Sequence, residues 1–405
     1  MQHVFIEKPY EFLPPFKAKW PIKLIMLTGI YKRWLRKLEG VESAEVRNHE
    51  KLQASIAAGH SVLITPNHSR TADPLVMGHL AVKARCTYYA MASWHTFNQG
   101  WLQRMLVRTM GAFSVNREGV DRTAVETAIS LLANGDRPSL LFPEGTTSRT
   151  NDKLMPLLDG PAFIARSAAK KRAKRDGGKV VVHPVAIKYV FQGDIQTACD
   201  ETLGEIEERL SWCRQSDLPI IERIQKLGNA LLTLKELQFN APAIPGGSLV
   251  ERQQQLVNLL LHPLEREWLG KEASGGIQIR IKNLRMQIFP EIAKGEVDVA
   301  ERNRRWKHLE QTYLAQQIDG YPKNYVEEFP SVTRVMETIE RFEEDLTDKA
   351  RIHGKLKAII DVLDPIEVST KRTRGVAEDP LMTQIRESLQ NRLDELKVES
   401  EMYPQ

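Results

Sequence analysis

Cysteine is scarce: Cys86, Cys199 and Cys213 are the only three in 405 residues, and they are widely spaced. An odd, scattered set supports neither a disulfide framework nor a clustered thiolate metal site, and a reducing compartment is expected. Long apolar runs are missing as well. The uncharged stretch 24–31 falls far short of the roughly 20 residues that span a bilayer, so a polytopic membrane protein is not expected. Residues 1–11 include Glu7 and Glu11 and have no apolar centre, so they do not read as a secretory signal. Aromatic residues make up 7% and do not interleave with the basic runs, which argues against a nucleic-acid platform. No G-x-S-x-G elbow, G-x-x-x-x-G-K-[ST] loop or G-x-G-x-x-G fingerprint occurs. What remains is an ordinary globular mix, 42% hydrophobic and 27% charged, in a chain longer than one core usually holds.

Charge is unevenly distributed. Residues 1–200 hold 28 Lys and Arg against 17 Asp and Glu, whereas residues 201–405 hold 29 against 35. A basic first half points to phosphate-bearing partners: nucleic acid, anionic lipid or a phosphorylated substrate. The segment 20–38 is apolar at its centre, with Lys19, Lys23, Lys32, Arg33, Arg36 and Lys37 around it. Trp20, Tyr31 and Trp34 beside those cations suit a membrane headgroup zone, which gives an interfacial helix as one reading. A helix packed on the protein's own core is the other. The run from Lys170 to Arg175 reads first as a solvated helix end, with anionic lipid as the alternative.

Between 61 and 191, short apolar runs at 61–65, 87–91, 112–115, 139–142 and 180–187 alternate with helical periodicity at 74–82, 101–108, 122–133 and 161–173. This alternation predicts an α/β fold: a layered, mainly parallel sheet flanked by helices, with ligands beyond the strand C-terminal ends. Residues 200–350 are helical and charge-rich, and Ser248 with Glu251 forms a capping box there. A strand at 356–362 follows, and Asp379-Pro380 then opens an amphipathic helix. The expected organisation is a membrane-associating segment at 1–40 and an α/β domain at 41–195. A helical insert at 196–353 precedes a closing strand and helix at 354–400.

Four polar blocks fall at strand ends. They are N-H-S-R-T-A-D from Asn67 to Asp73, G-A-F-S-V-N-R ending at Arg117, F-P-E-G-T-T-S-R from Phe142 to Arg149, and V-H-P-V-A around Pro184. A histidine after a buried strand, with an aspartate five residues on, can act as a general base whose tautomer the carboxylate fixes. In this order the blocks resemble the lysophospholipid and glycerolipid acyltransferase family, whose bacterial archetype makes phosphatidic acid from lysophosphatidic acid. The resemblance covers 61–191, and 357–368 is similar to the family's late strand with its proline turn.

The resemblance implies that His68 deprotonates the acceptor hydroxyl while Asp73 orients it. That hydroxyl then attacks an acyl thioester, so no enzyme nucleophile is needed. It implies a substrate-binding set of Asn67, Arg70, Arg117, Glu144, Gly145, Thr146, Ser148, Arg149 and Pro184, with Arg117 on the acceptor phosphate. No bound cofactor and no metal are implied; acyl-CoA or acyl-carrier protein is the co-substrate and lysophosphatidate the acceptor. Membrane phospholipids are the expected partner, with peripheral attachment at the cytoplasmic, inner face of a membrane. The sequence departs from the family at Thr147, where an arginine is usual, and Arg70 is a candidate replacement cation. Glycerol 3-phosphate, another lysophospholipid or a non-phosphate lipid therefore stay open as acceptors. A lipid-binding scaffold without activity also stays open. His183 reads as a core or strand-end residue. His79, His95, His262, His308 and His353 lack metal-like spacing.

Overall fold

The computed structural model describes residues 10–371, 375 and 378–404; the sequence reading at residues 1–9 lies outside the described residues. The first part of the chain runs α1 (Trp20–Thr28), α2 (Ile30–Glu39), β1 (Val41–Arg47), α3 (His49–Ala57), β2 (Ser61–Pro66), α4 (Asp73–Lys83) and β3 (Tyr89–Ser93). It continues through α5 (Trp101–Thr109), β4 (Ala112–Val115), α6 (Arg122–Asn134), β5 (Ser139–Leu140), α7 (Gly160–Asp176) and β6 (Val180–Phe191). A helical stretch follows: α8 (Ile195–Arg209), α9 (Ile220–Gln238), α10 (Leu249–Leu269), α11 (Ile277–Ile288), α12 (Pro290–Lys294), α13 (Val299–Asp319), α14 (Tyr325–Glu328) and α15 (Val332–Thr347). Strands β7 (Leu356–Val362) and β8 (Ile366–Glu367) and helix α16 (Pro380–Leu396) close the chain.

The strands form one sheet in the order β1-β7-β6-β2-β5-β3-β4, with β8 beside β6. Pairing is parallel except where β6 meets β7 and β8. The fold is therefore the mainly parallel, helix-flanked α/β sheet that the alternation predicts. Every residue of β2 is buried, which is why its sequence is a continuous apolar run. One sheet face packs Met77 and Leu80 of α4, Leu203 of α8, and Val335 and Ile339 of α15. The other packs Leu132 of α6, Ala165 and Ala168 of α7, and Ile385 and Leu389 of α16. Asp121 caps α6 by accepting from the Ala124 amide at 2.9 Å, and Asp379 caps α16 ahead of Pro380.

The helical stretch is not one body. Helices α8, α9 and α15 join the core on the sheet, whereas Leu260, Leu284, Trp306 and Leu309 of α10, α11 and α13 form a separate core. The N-terminal segment also differs from a single interfacial helix. Gly29, at φ +64°, breaks it into α1 and α2. Tyr31 is buried against Gly78 and His79 of α4, so it does not face a headgroup zone. Trp20, Leu24 and Leu27 do stay exposed. Among the described residues, no helix is long and apolar enough to cross a membrane.

Candidate active site

Strands β2, β5, β3 and β4 run parallel, so the segments that follow them open on one edge of the sheet. His68 follows β2, Arg117 follows β4, and Glu144 to Arg149 follow β5. At the end of β2, Asn67 donates from Nδ2 to the Ile187 carbonyl at 2.9 Å and accepts the Ile187 amide at 2.7 Å. Buried and doubly engaged, Asn67 clasps β2 to β6.

The clasp aims His68 outward. Its Nδ1 lies 2.8 Å from Asp73 Oδ2, and its ring stacks on Phe142 with centroids 4.2 Å apart. A carboxylate only accepts, so Nδ1 carries the proton and Nε2 presents its lone pair. Nε2 faces the Thr147 hydroxyl at 3.5 Å. Asp73 is fully buried at the first turn of α4, where the helix dipole favours its charge. It also accepts from the Arg70 amide at 3.0 Å and the Tyr189 hydroxyl at 2.5 Å. Burial, and then the adjacent Asp73 carboxylate, hold the Tyr189 phenol protonated well above its usual range.

The segment after β5 is stitched to this turn. Glu144 accepts the amides of His68 at 2.6 Å and Met155 at 3.0 Å. Burial pushes its carboxyl up to about 8, while those amides pull it back. Ser148 donates its amide (2.7 Å) and its hydroxyl (3.1 Å) to the His68 carbonyl. Glu144 and Ser148 thus tie the loop after β2 to the loop after β5. Gly145 sits at φ +69°, a left-handed conformation that favours glycine, and a Cβ there would push the Leu158 side chain aside. Its carbonyl accepts from Arg117 at 2.7 Å. Thr146 is half-buried beside Thr147. Pro184 lies buried within β6 opposite Thr65.

The arginines divide into two kinds. Arg117 is exposed and, among the described residues, has no carboxylate partner. Arg70 pairs with Glu340 at 2.6 Å, and Arg149 pairs with Glu344, both acids being on α15. Arg149 holds φ +59°, a left-handed conformation that costs an L-residue roughly 1–2 kcal/mol. Arg70 is therefore not a free replacement for the cation missing at Thr147. Nearby, Glu39 at the end of α2 accepts from Thr71 at 3.0 Å, and burial raises its carboxyl.

Sequence reasoning missed Tyr189, Phe142, Glu340 and Glu344 and treated Thr147 only as a departure. Phe142 sat inside a recognised block, and Tyr189 lies two residues past the assigned strand end, so both were within reach. His183 is fully buried, bonded to Ser55 at 2.9 Å and the Leu363 carbonyl. No metal-holding cluster of His, Cys, Asp or Glu occurs among the described residues. Cavities of about 470 Å³, beside Lys153 and Arg334, and about 450 Å³, beside Phe191 and Lys357, lie away from His68. Residues 43–188 match the family model described as Acyltransferase. No curated protein matches the chain.

Proposed function

We propose that this chain, whose residues 43–188 match the Acyltransferase family model, moves a fatty acyl group from an acyl thioester to the hydroxyl of lysophosphatidate. One observation carries the reading: an Nδ1-anchored His68, 2.8 Å from Asp73, with Nε2 directed away from the carboxylate. Nε2 takes the acceptor's hydroxyl proton as the oxygen attacks the thioester carbonyl. Asp73 stabilises the imidazolium that results. The tetrahedral oxyanion collapses, the C–S bond breaks, and the departing thiolate takes the proton back from Nε2. The main-chain N–H groups of Thr146 and Thr147 are the candidate oxyanion donors, since Thr147 borders Nε2 and the Gly145 amide is taken by the Phe142 carbonyl. Arg117 engages the acceptor phosphate. Acyl-CoA or acyl-carrier protein serves as donor, and α1 with its flanking cations holds the enzyme at the cytoplasmic face of a membrane.

A second reading is favoured by the pairing of Arg70 and Arg149 with carboxylates. With Thr147 in place of an arginine, the site presents fewer free cations than a phosphomonoester acceptor usually meets, which suits an acceptor of lower charge. The test is conversion by wild type and His68→Ala, followed by mass spectrometry, with both donors and a panel of lysophosphatidate, glycerol 3-phosphate, lysophosphatidylcholine and monoacylglycerol. Wild-type conversion lost in a folded His68→Ala supports the base. Preference for monoacylglycerol would move the conclusion to the second reading, and no conversion at all would reject both.

A further inference from the structure

Helix α15 lies outside the stretch that matches the acyltransferase family, yet it faces both catalytic loops. Its apolar stripe of Val335, Met336, Ile339 and Phe342 packs into the sheet core. A second stripe, at helical spacing, is polar and meets the loops instead of water. Arg334 donates to Asp152 at 2.7 Å, and Glu337 accepts the Asn151 amide at 2.9 Å. One turn on, Glu340 takes Arg70, and after a further turn Glu344 takes Arg149. The four partners occupy the His68 turn and the segment that follows Glu144.

Both outer pairs are largely sheltered, with side-chain exposures of 15% and 17% for Arg70 and Glu340, and 20% and 24% for Arg149 and Glu344. Shelter makes each pair far more demanding to break than a surface pair. Their position relative to the base separates support from substrate contact. The Arg70 amide donates to the same Asp73 oxygen that orients His68, and its guanidinium lies over the Tyr189 ring, 5.6 Å from the centroid. Tyr189 in turn donates to the other Asp73 oxygen. These contacts gather on the Nδ1 side of His68, whereas Thr147 marks the Nε2 side. Arg149 follows Ser148, which holds the His68 carbonyl, and its left-handed backbone needs an external hold.

We infer that Glu340 and Glu344 are positioning residues: through Arg70 and Arg149 they brace the His68–Asp73 turn and the Glu144–Arg149 segment in their working register. The helical stretch therefore completes the active centre. The inference rests on His68 as the base, but not on which lipid accepts the acyl group.

Glu340→Gln and Glu344→Gln keep size and remove charge. In each, kcat falls about tenfold and the acceptor KM stays within twofold, while the melting temperature drops but stays above the assay temperature. The low-field Nδ1–H proton resonance of His68, identified by its absence in His68→Gln, broadens or disappears. Glu340→Asp, which keeps the charge, recovers part of both signals. If Glu344→Gln does not fold, exchanging the pair (Arg149→Glu with Glu344→Arg) interrogates the same contact. Unchanged kcat with a retained resonance overturns the inference. A rise in KM alone also overturns it, by assigning the arginines to substrate. Increased activity overturns it by making the pairs an inhibitory latch. Because the resonance is read without substrate, absent turnover of every acceptor by wild type would count against the proposed reaction and leave this bracing separately measurable.

Discussion

Replacing Asp73 by Asn separates the two tasks assigned to that carboxylate. Its two oxygens serve three donors: Oδ2 takes His68 Nδ1–H and the Arg70 amide, and Oδ1 takes the Tyr189 hydroxyl. An asparagine oxygen in the Oδ2 place keeps the first two. Its NH2 then faces Tyr189, whose hydroxyl can rotate from donor to acceptor. The ring orientation and tautomer of His68 survive, and only the negative charge is lost. A hydrogen bond to a charged group contributes about 1.5–3 kcal/mol, so kcat falls roughly 10- to 150-fold. Steady-state acyl transfer, with melting temperature as the folding control, reads this. A loss of about 10⁴, the scale seen when a catalytic imidazole is left in the wrong tautomer, would refute the role given to Tyr189. No loss would refute the role of the charge. Tyr189→Phe supplies the internal check: mild alone, it removes the acceptor for the new amide and deepens the Asp73→Asn defect by about tenfold.

Glu337 is fully surrounded, and burial, then the neighbouring Asp152 carboxylate, raises its carboxyl from 4.5 to about 7. A raised folded-state value gives stability that is complete below the unfolded value and lost as pH climbs through about 7. Wild type should therefore lose on the order of 3 kcal/mol between pH 4.5 and 7 from this group, and Glu337→Gln should flatten that slope in thermal melts. Trp20, Leu24 and Leu27 share one face of α1 at 67%, 52% and 85% exposure. Their joint replacement by serine should cut pelleting with anionic vesicles by roughly tenfold or more while sparing turnover of detergent-dispersed acceptor, and equal pelleting would remove α1 as the anchor.

The legible parts of the molecule were those whose cause is local. The apolar run of β2 needs no partner to declare itself, and Asp379 ahead of Pro380 announces α16. His68 and Asp73 were readable because five residues link them. Strand β1 was not: V-E-S-A-E-V-R carries alternating charge, and it is a strand because it pairs in parallel with β7, more than 300 residues away. The end of β6 was misjudged for a similar reason. Tyr189 stays in the strand because Asn151 brackets it, accepting its amide at 2.8 Å and donating to its carbonyl at 2.6 Å. The bonds of Asn67, Glu144 and Ser148 were not legible for another reason: the backbone groups that occupy them are brought to them only by the folded loops.

The route of the chain explains why a helix so distant in sequence reaches the loops that carry His68 and Glu144. Strand β6 ends at Phe191 on the edge of the sheet where the site lies, and β7 is antiparallel to it, with Leu356 opposite Phe191. The chain therefore leaves and re-enters the sheet at the same edge. The two crossings are clasped: Gln192 donates its amide to the Lys355 carbonyl at 2.7 Å, and Gly193 and Gly354 come together beside the Phe191 ring. A Cβ on Gly354 would lie 2.5 Å from that ring, so a side chain there would displace Phe191. Elements adjoining this neck, α8 after β6 and α15 before β7, have little choice but to lie against the sheet, and both do. Segments farther from the neck, α10, α11 and α13, are free of that constraint and bury their apolar faces on one another. Antiparallel β6–β7 pairing is thus what places the carboxylates of α15 within reach of Arg70 and Arg149; a parallel return would have brought the chain back at the opposite edge.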